Sequence, residues 1–580
     1  EESTCCIKLG TSNWTPYFRS TATDSLFVNE NVTVESEAFS YNDNLVYAEW
    51  PTTFVNADYS TSSVVSNCSK LNKVMLKSPT MVTYYSQDFF SGNTLGNITL
   101  QVPDFLVSAY KLDPYWYQCN VEGFNSADVK DWTLINALIL NEGQRIGGTP
   151  NINMQQQSTL TFNGDTPQTL GNLEFCRDWY FNWDSSWNTM LLSNTNNVNI
   201  NGKLKYRAYT PEKVWTFFCL PFDTKVGDID CEASYAIRYY DGAQRATGAT
   251  GSNWKNYSAD DIIPAGTGFI LQTSKQCSTW FTAQDNATKN YVLSNNEFVK
   301  ALEANPSDVA ANKGWNLVGN PWVTYYNIHK LNFTAPITVW HSDRWGNGNY
   351  EVYSIIDDDY AIKPLEAIFV QCPDEVSEIS FPIDGRQLTD VIESQNAARV
   401  STPSERKLID VELSLDGMTD KTRFVLNPQA KMDYELQCDA SKFFSMDGNV
   451  PQIYTIEQGV QLAINERPLG DGTVQIGLRL AQDGDYTVTA PRNQFTNIVL
   501  VDNETGVETL LTDGASYTFT ADQGTNESRF YLRVGSTVVT DVQSVAVVQQ
   551  QTEQAYNLQG QRVAAPQKGL YIVNGKKIMK

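Results

Sequence analysis

Catalysis needs reactive side chains of matched type, and this chain offers few of the usual sets. It has two histidines, His329 and His341. Any Ser-His-Asp or Cys-His arrangement must recruit one of them. No HExxH, GxSxG, Walker or dinucleotide-binding phrase occurs. His341 sits in the strand-like run Val339-Trp340-His341-Ser342-Asp343, and His329 follows an Asn-Pro-Trp turn. Paired carboxylates can hydrolyse glycosides without histidine, one acid protonating the leaving group while the other serves as base or nucleophile. The candidates are Asp357-Asp358-Asp359 and the Asp178/Asp184 pair, although neighbouring acids in an acidic chain read first as solvated turns. The segment from Asp343 to Glu351 offers oxygen ligands for Ca²⁺ but lacks alternating acidic spacing, and reads as a hairpin turn. Aromatic clusters are richer: Trp179, Trp183 and Trp187, and Tyr115-Trp116-Tyr117, could stack on sugar rings. Alternate strand residues face opposite sides, so about half of each cluster belongs in a core. The candidate ligand-binding residues are therefore Trp116, Trp179, Trp183 and Trp187. No catalytic residue, metal ligand or cofactor is expected.

The elements that must position these residues are strands. Charged residues make up 19% of the 580-residue chain and aromatics 12%, with 29 Tyr and 14 Trp, a composition that suits an extracellular all-β protein. A net charge of −24 disfavours nucleic acid and anionic membranes as partners. No run of eighteen apolar residues is present, so no membrane span is expected. The chain opens at Glu1, as a processed secretory product would. The ten cysteines form no CxxC pair or His-containing cluster, and in an oxidising compartment they permit disulfides of open connectivity.

A duplication occupies the middle. Trp215–Phe222 and Trp315–Trp322 share the frame W-x-φ-φ-x-x-P-aromatic, Pro264 corresponds to Pro364, and Ile237–Asp241 to Val339–Asp343. Three ordered matches predict tandem β modules over 209–305 and 306–384, with Trp215 and Trp315 buried at equivalent places. A β-rich domain at 1–208 precedes them; its short strands with Asn-rich corners fit a sandwich or a parallel β-helix, and it is read as sandwich-like because no constant period of 20–25 residues is found. Only Asn295–Ala304 hints at a helix. A linker over 385–406 leads to nine strand-like runs within 407–536, which predict a β-sandwich of two antiparallel sheets. Asp416-Gly417, Asp471-Gly472 and Asp483-Gly484 are its expected hairpin corners. Residues 537–554 form a linker or exchanged strand, in which Val538, Val542, Val545 and Val547 could pair with another copy and build a filament.

The last segment, AYNLQGQRVAAPQKGLYIVNGKKIMK over 555–580, holds five basic residues and no acid. Asn574-Gly575 predicts a two-residue hairpin turn after Gly569–Val573, with a smaller hairpin around Gln559-Gly560 before it. This wording resembles the C-terminal sorting domain of the type IX secretion system of Bacteroidota. The resemblance rests on Tyr556, Asn557, Leu558, Gly560, Gly569, Tyr571, Asn574, Gly575, Lys576 and Lys577. The Trp-x-Leu-x-Gly-Asn-Pro phrase is similar to modules of surface proteins that carry such tags. YELQCDASKF and LAINERPLGDGTV resemble the C-terminal sandwich of Bacteroidales surface proteins. The resemblance implies an extracellular or outer-surface location, with the type IX machinery as a partner. The resulting expectation is a multidomain all-β surface protein, structural or adhesive rather than enzymatic. The alternatives are a glycan-binding protein using exposed Trp and Tyr, and a glycan-active enzyme.

Overall fold

Small and branched apolar residues stack down the front of the chain in register, not at fixed spacing. The computed structural model describes residues 24–30, 38–57, 64–84, 89–179, 186–342, 348–392, 405–512 and 514–535, together with four short strands within 555–579. Leu26 pairs with Ala48, Ala48 with Val74, Val74 with Leu100 and Leu100 with Val121, all in parallel strands. All five residues are buried. A second ladder runs Trp132, Ile152, Leu173, Leu204, and a third runs Leu138, Leu160, Leu191, again between parallel strands. Each fully buried Val or Leu contributes about 1.5–3 kcal/mol, which only neighbouring coils can supply by covering it.

The front is therefore a parallel solenoid, which corrects the sandwich expected there. The register steps explain why the period is hard to see. They are 22, 26, 26 and 21 residues from Ser25 to Tyr47, Lys73, Thr99 and Asn120, and 31 residues from Leu173 to Leu204. Loops of variable length sit between coils whose strands stay in register.

The two central modules have one topology. The first sheet runs Thr216–Cys219, Gly268–Thr273, Tyr235–Tyr240, Trp254–Asn256. The second runs Trp315–Gly319, Ala367–Gln371, Ile337–Ser342, Gly348–Tyr353. A small antiparallel pair accompanies each, Thr224–Lys225 with Ile262–Ile263 and Tyr325–Asn327 with Ala361–Ile362. The closing strands also correspond: Cys277–Thr282 pairs antiparallel with Leu204–Thr210, and Glu378–Phe381 with Phe298–Ala301. Each unit thus begins one strand earlier than the sequence frame suggests. Leu204–Thr210 serves twice, as the last solenoid strand and as the opening strand of the first module.

Phe298–Ala301 lies in the segment expected to be helical. It is a strand because Phe298 packs inward, its ring 6.4 Å from that of its cross-strand partner Phe381. Tertiary pairing overrides the local preference. Trp315 is buried, whereas Trp215 is half-buried, covered by the Arg238 guanidinium 4.6 Å from its ring. The modules touch closely where Thr267 bridges Val318. A Cβ on Gly319 would collide with Cys219 and the Glu366 carbonyl, so only glycine permits the approach.

The C-terminal domain is one eleven-stranded sheet instead of two. Its strands are antiparallel except for Met418–Leu426 beside Val460–Arg467. A twisted sheet of this width curls. Phe519 on the Ser516–Ala521 edge strand reaches Phe530 near the opposite end, with ring centroids 4.8 Å apart, closing one core. Asp416-Gly417 is a two-residue hairpin corner with φ of 51° and 83°. Gln458-Gly459 is another, with φ of 48° and 81°. Asp471-Gly472 and Asp483-Gly484 are not hairpin corners, because the strands they join are not neighbours in the sheet. The expected linker is engaged at its start, where Arg386–Gln387 pairs with Tyr325–Tyr326.

Candidate functional site

The aromatic candidates divide between core and undescribed chain. Trp116 is fully buried and donates Nε1–H to the Val82 carbonyl at 3.0 Å. It packs among Tyr84, Phe89, Phe90, Tyr110 and Tyr115, which removes it from any ligand face and corrects its assignment as a binding residue. Tyr117 alone of its trio is exposed. Trp179 and Trp187 lie on paired strands, Leu173–Trp179 and Ser186–Asn188, with Asp178 opposite Trp187. Trp183 and Asp184 fall outside the described residues, as do Val538, Val542, Val545 and Val547.

The acidic run is an ionic joint. Arg406 grips Asp357 with two bonds of 2.7 Å and also reaches Glu466 at 2.7 Å. Arg423 grips Asp358 at 2.8 Å through each oxygen and Asp410 at 2.6 and 2.9 Å. Arg423 lies on a strand of the curled sheet and Arg406 immediately before its first strand, so the second module is pinned to it. Burial pushes the Asp357 carboxyl up, but the Arg406 hydrogen bonds and charge outweigh it and hold the group below the usual carboxylate range. Asp359 meets His329 Nε2 at 2.8 Å, and His329 Nδ1 lies 2.8 Å from the Ile355 carbonyl oxygen. His341 sits 3.1 Å from the Tyr353 hydroxyl. The Asp343–Glu351 segment lies in a hairpin in which Ser342 pairs Gly348, residues 343–347 being outside the described set. Among the described residues no cluster of three His, Cys, Asp or Glu side chains could hold a metal.

Asp439 behaves oppositely to Asp357. Burial raises its carboxyl to about 7, although the backbone N–H groups of Glu435 and Glu466 donate to it at 2.7 Å each. The unfolded chain loses this proton near pH 4, whereas the folded chain keeps it up to about pH 7. Stability from this group is therefore full below about pH 4 and is lost as pH rises toward 7. Asp439→Asn is expected to flatten that fall, which amounts to about 2–4 kcal/mol in the native protein. Urea midpoints at pH 4.5 and 7.5 measure it. An unchanged pH slope in the variant would contradict the assignment.

The site with recognition chemistry lies where the two modules meet the curled sheet. Asp241 caps a short helix, Gly242–Ala246, by accepting from Gln244 N–H at 2.8 Å. Gly242 is needed because a Cβ there would strike the Trp315 carbonyl. The helix sets Arg245 against two touching rings, 4.5 Å from Trp315 and 4.3 Å from Phe443. The guanidinium donates to Tyr240 Oη at 3.2 Å and Ser441 Oγ at 2.8 Å. Tyr240 stacks edge-on against Trp254 and Phe369. A groove of about 430 Å³ opens over Tyr240, Arg245, Trp254, Lys442 and Phe443, within the size range of small-ligand sites. Sequence reading missed these residues. The Asp241-Gly242 start signal was visible, but the ring partners lie about 70 and 200 residues away along the chain.

The tail forms a four-stranded antiparallel sheet in the order Arg562–Val563, Ala555–Tyr556, Leu570–Val573, Lys576–Met579. Val573 pairs with Lys576, so two residues connect these strands, and Tyr556 pairs with Arg562 in the smaller hairpin. Tyr571, Lys576 and Lys577 lie on its strands. Asn557, Leu558, Gly560, Gly569, Asn574 and Gly575 lie outside the described residues.

Fold and site together define an all-β protein of joined modules: a parallel solenoid, two matching small sheets, a curled sheet and a hairpin tail. Among the described residues no helix is long and apolar enough to cross a membrane. No family model matches the chain, and no curated protein or solved structure matches it.

Proposed function

We propose that this is a secreted cell-surface protein, structural or adhesive in role, exported through a type IX-like route and addressed by residues 555–580. The observation that carries this reading is the tail: two hairpins joined into a small sheet of their own, with basic residues only, on an acidic chain. The body supports it too. Arg386 ties three parts together, donating to the Ser193 carbonyl at 2.9 Å, Asn295 Oδ1 at 2.8 Å and the Ile383 carbonyl at 3.0 Å while covering Trp322. With the Arg406 and Arg423 joint, this fixes the modules against one another, as a load on a surface protein requires. Removing residues 555–580 is expected to leave the protein in the periplasm, which intact-cell labelling checks.

Glycan binding is a second reading, favoured by the aromatic groove around Arg245. An extracellular address also bears on the cysteines. The eight described cysteines form no bond with one another, but Cys231, which pairs with Thr279, lies diagonally across from Cys277 on the antiparallel strand with Sγ atoms 3.7 Å apart. Exposure to a disulfide oxidant such as oxidised glutathione is expected to join them with loss of two thiols, and peptide mapping would find the cross-link. A peptide map with both thiols still free after oxidation would contradict this pairing.

A further inference from the structure

We infer that the groove at the three-way junction binds a carboxylated sugar, its acid group held by Arg245 and its ring lying against the aromatic wall. The proposal deepens the adhesive reading and rests on it for setting, but purified protein tests it without any export step.

Charge is the first argument. The chain carries 66 acidic and 42 basic residues, yet among the described residues no Asp or Glu side chain lines the groove, while Arg245 and Lys442 do. Lys442 is already neutralised, donating at 2.6 Å to both oxygens of Asp420. Arg245 is different: among the described residues it makes hydrogen bonds only to neutral hydroxyls. A half-buried guanidinium without a carboxylate is a standing attraction for an anion.

Geometry is the second argument. Trp315 and Phe443, in contact with each other at 4.8 Å between centroids, together back one side of the guanidinium, which lines the groove. A carboxylate that meets such a guanidinium edge-on takes two parallel N–H bonds. The hydroxyls of Tyr240 and Ser441 each accept one of its N–H groups, which locks the fork in place and leaves its other donors available.

Surface character is the third. Trp254 and Tyr240 present half-buried rings, Met446 is exposed beside them, and Ser252, Asn253 and Asn312 add hydrogen-bonding groups around the same space. Rigid aromatic faces next to amides and hydroxyls match the two sides of a pyranose, C–H on one and O–H on the other. An acidic peptide would satisfy the cation but would leave this combination unused.

The test uses the full chain and isothermal titration with trigalacturonate, its methyl ester, and a hexaglutamate peptide. The ester keeps the rings and removes the charge. Trigalacturonate is expected to bind at least tenfold more tightly than either competitor and to weaken several-fold between 50 and 300 mM salt. Arg245→Gln is expected to abolish the preference for acid over ester. Trp254→Ala, which leaves Arg245 and its two hydroxyl partners in place, is expected to weaken acid and ester alike by tenfold or more. If Arg245→Gln does not fold, the acid-to-ester ratio on the native chain and the Trp254 variant still decide the matter. Equal binding of acid and ester, tighter binding of hexaglutamate, or no saturable binding of trigalacturonate would each overturn the proposal. Export can succeed in every one of those cases, so the two readings fail separately.

Discussion

Arg423→Ala is expected to destabilise the curled sheet and its junction with the second module by about 3–5 kcal/mol, the usual cost of stranding a buried charge. Arg423 is 3% exposed and is the shared partner of Asp410, on its neighbouring strand, and Asp358, from the second module. Burial disfavours its charge, but the two carboxylates more than compensate and raise its pKa further. Removing the guanidinium leaves Asp358 with Arg492, 3.4 Å away and more exposed, and leaves Asp410 with much less. Arg423→Lys restores the charge but not the paired forks, so it should recover only part of the loss. Urea unfolding followed by circular dichroism measures both variants. A loss below about 1 kcal/mol for Arg423→Ala would put this pair in the class of surface ion pairs and remove the ionic joint from the account.

How much of this was legible in the sequence depends on the range of the interactions. The Asp416-Gly417 corner is local chemistry, two residues at positive φ, and it stands where it was expected. The tail hairpin is local too, fixed by its Asn-Gly step and the flanking apolar run. The module duplication shows through because Trp215 and Trp315, and Pro264 and Pro364, keep one spacing. The solenoid does not, since its coils agree only in register and its loops vary freely in length. The roles of Asp357 and Asp358 were invisible, because the arginines that claim them lie 49 and 65 residues downstream on another sheet. Trp116 shows the converse. Its neighbourhood reads as an aromatic display, yet its indole is surrounded by rings contributed by residues 84 to 115.

The largest biological effect is expected from the tail. In the proposed reading, residues 555–580 act as an address, so their removal abolishes surface display while leaving the body folded. Their sheet supports this separability. Its four strands pair with one another, and among the described residues none joins a sheet of the body. The contrast with Arg423→Ala is useful, because that variant should lower stability and leave the address intact.

Protease shaving of intact cells, with the outer membrane then opened as a control, tests this claim most directly. The full chain is expected to be cut on intact cells. The chain lacking 555–580 should be protected until the membrane is opened and then be found in full amount in the periplasm. Equal cutting of the two chains on intact cells would contradict it.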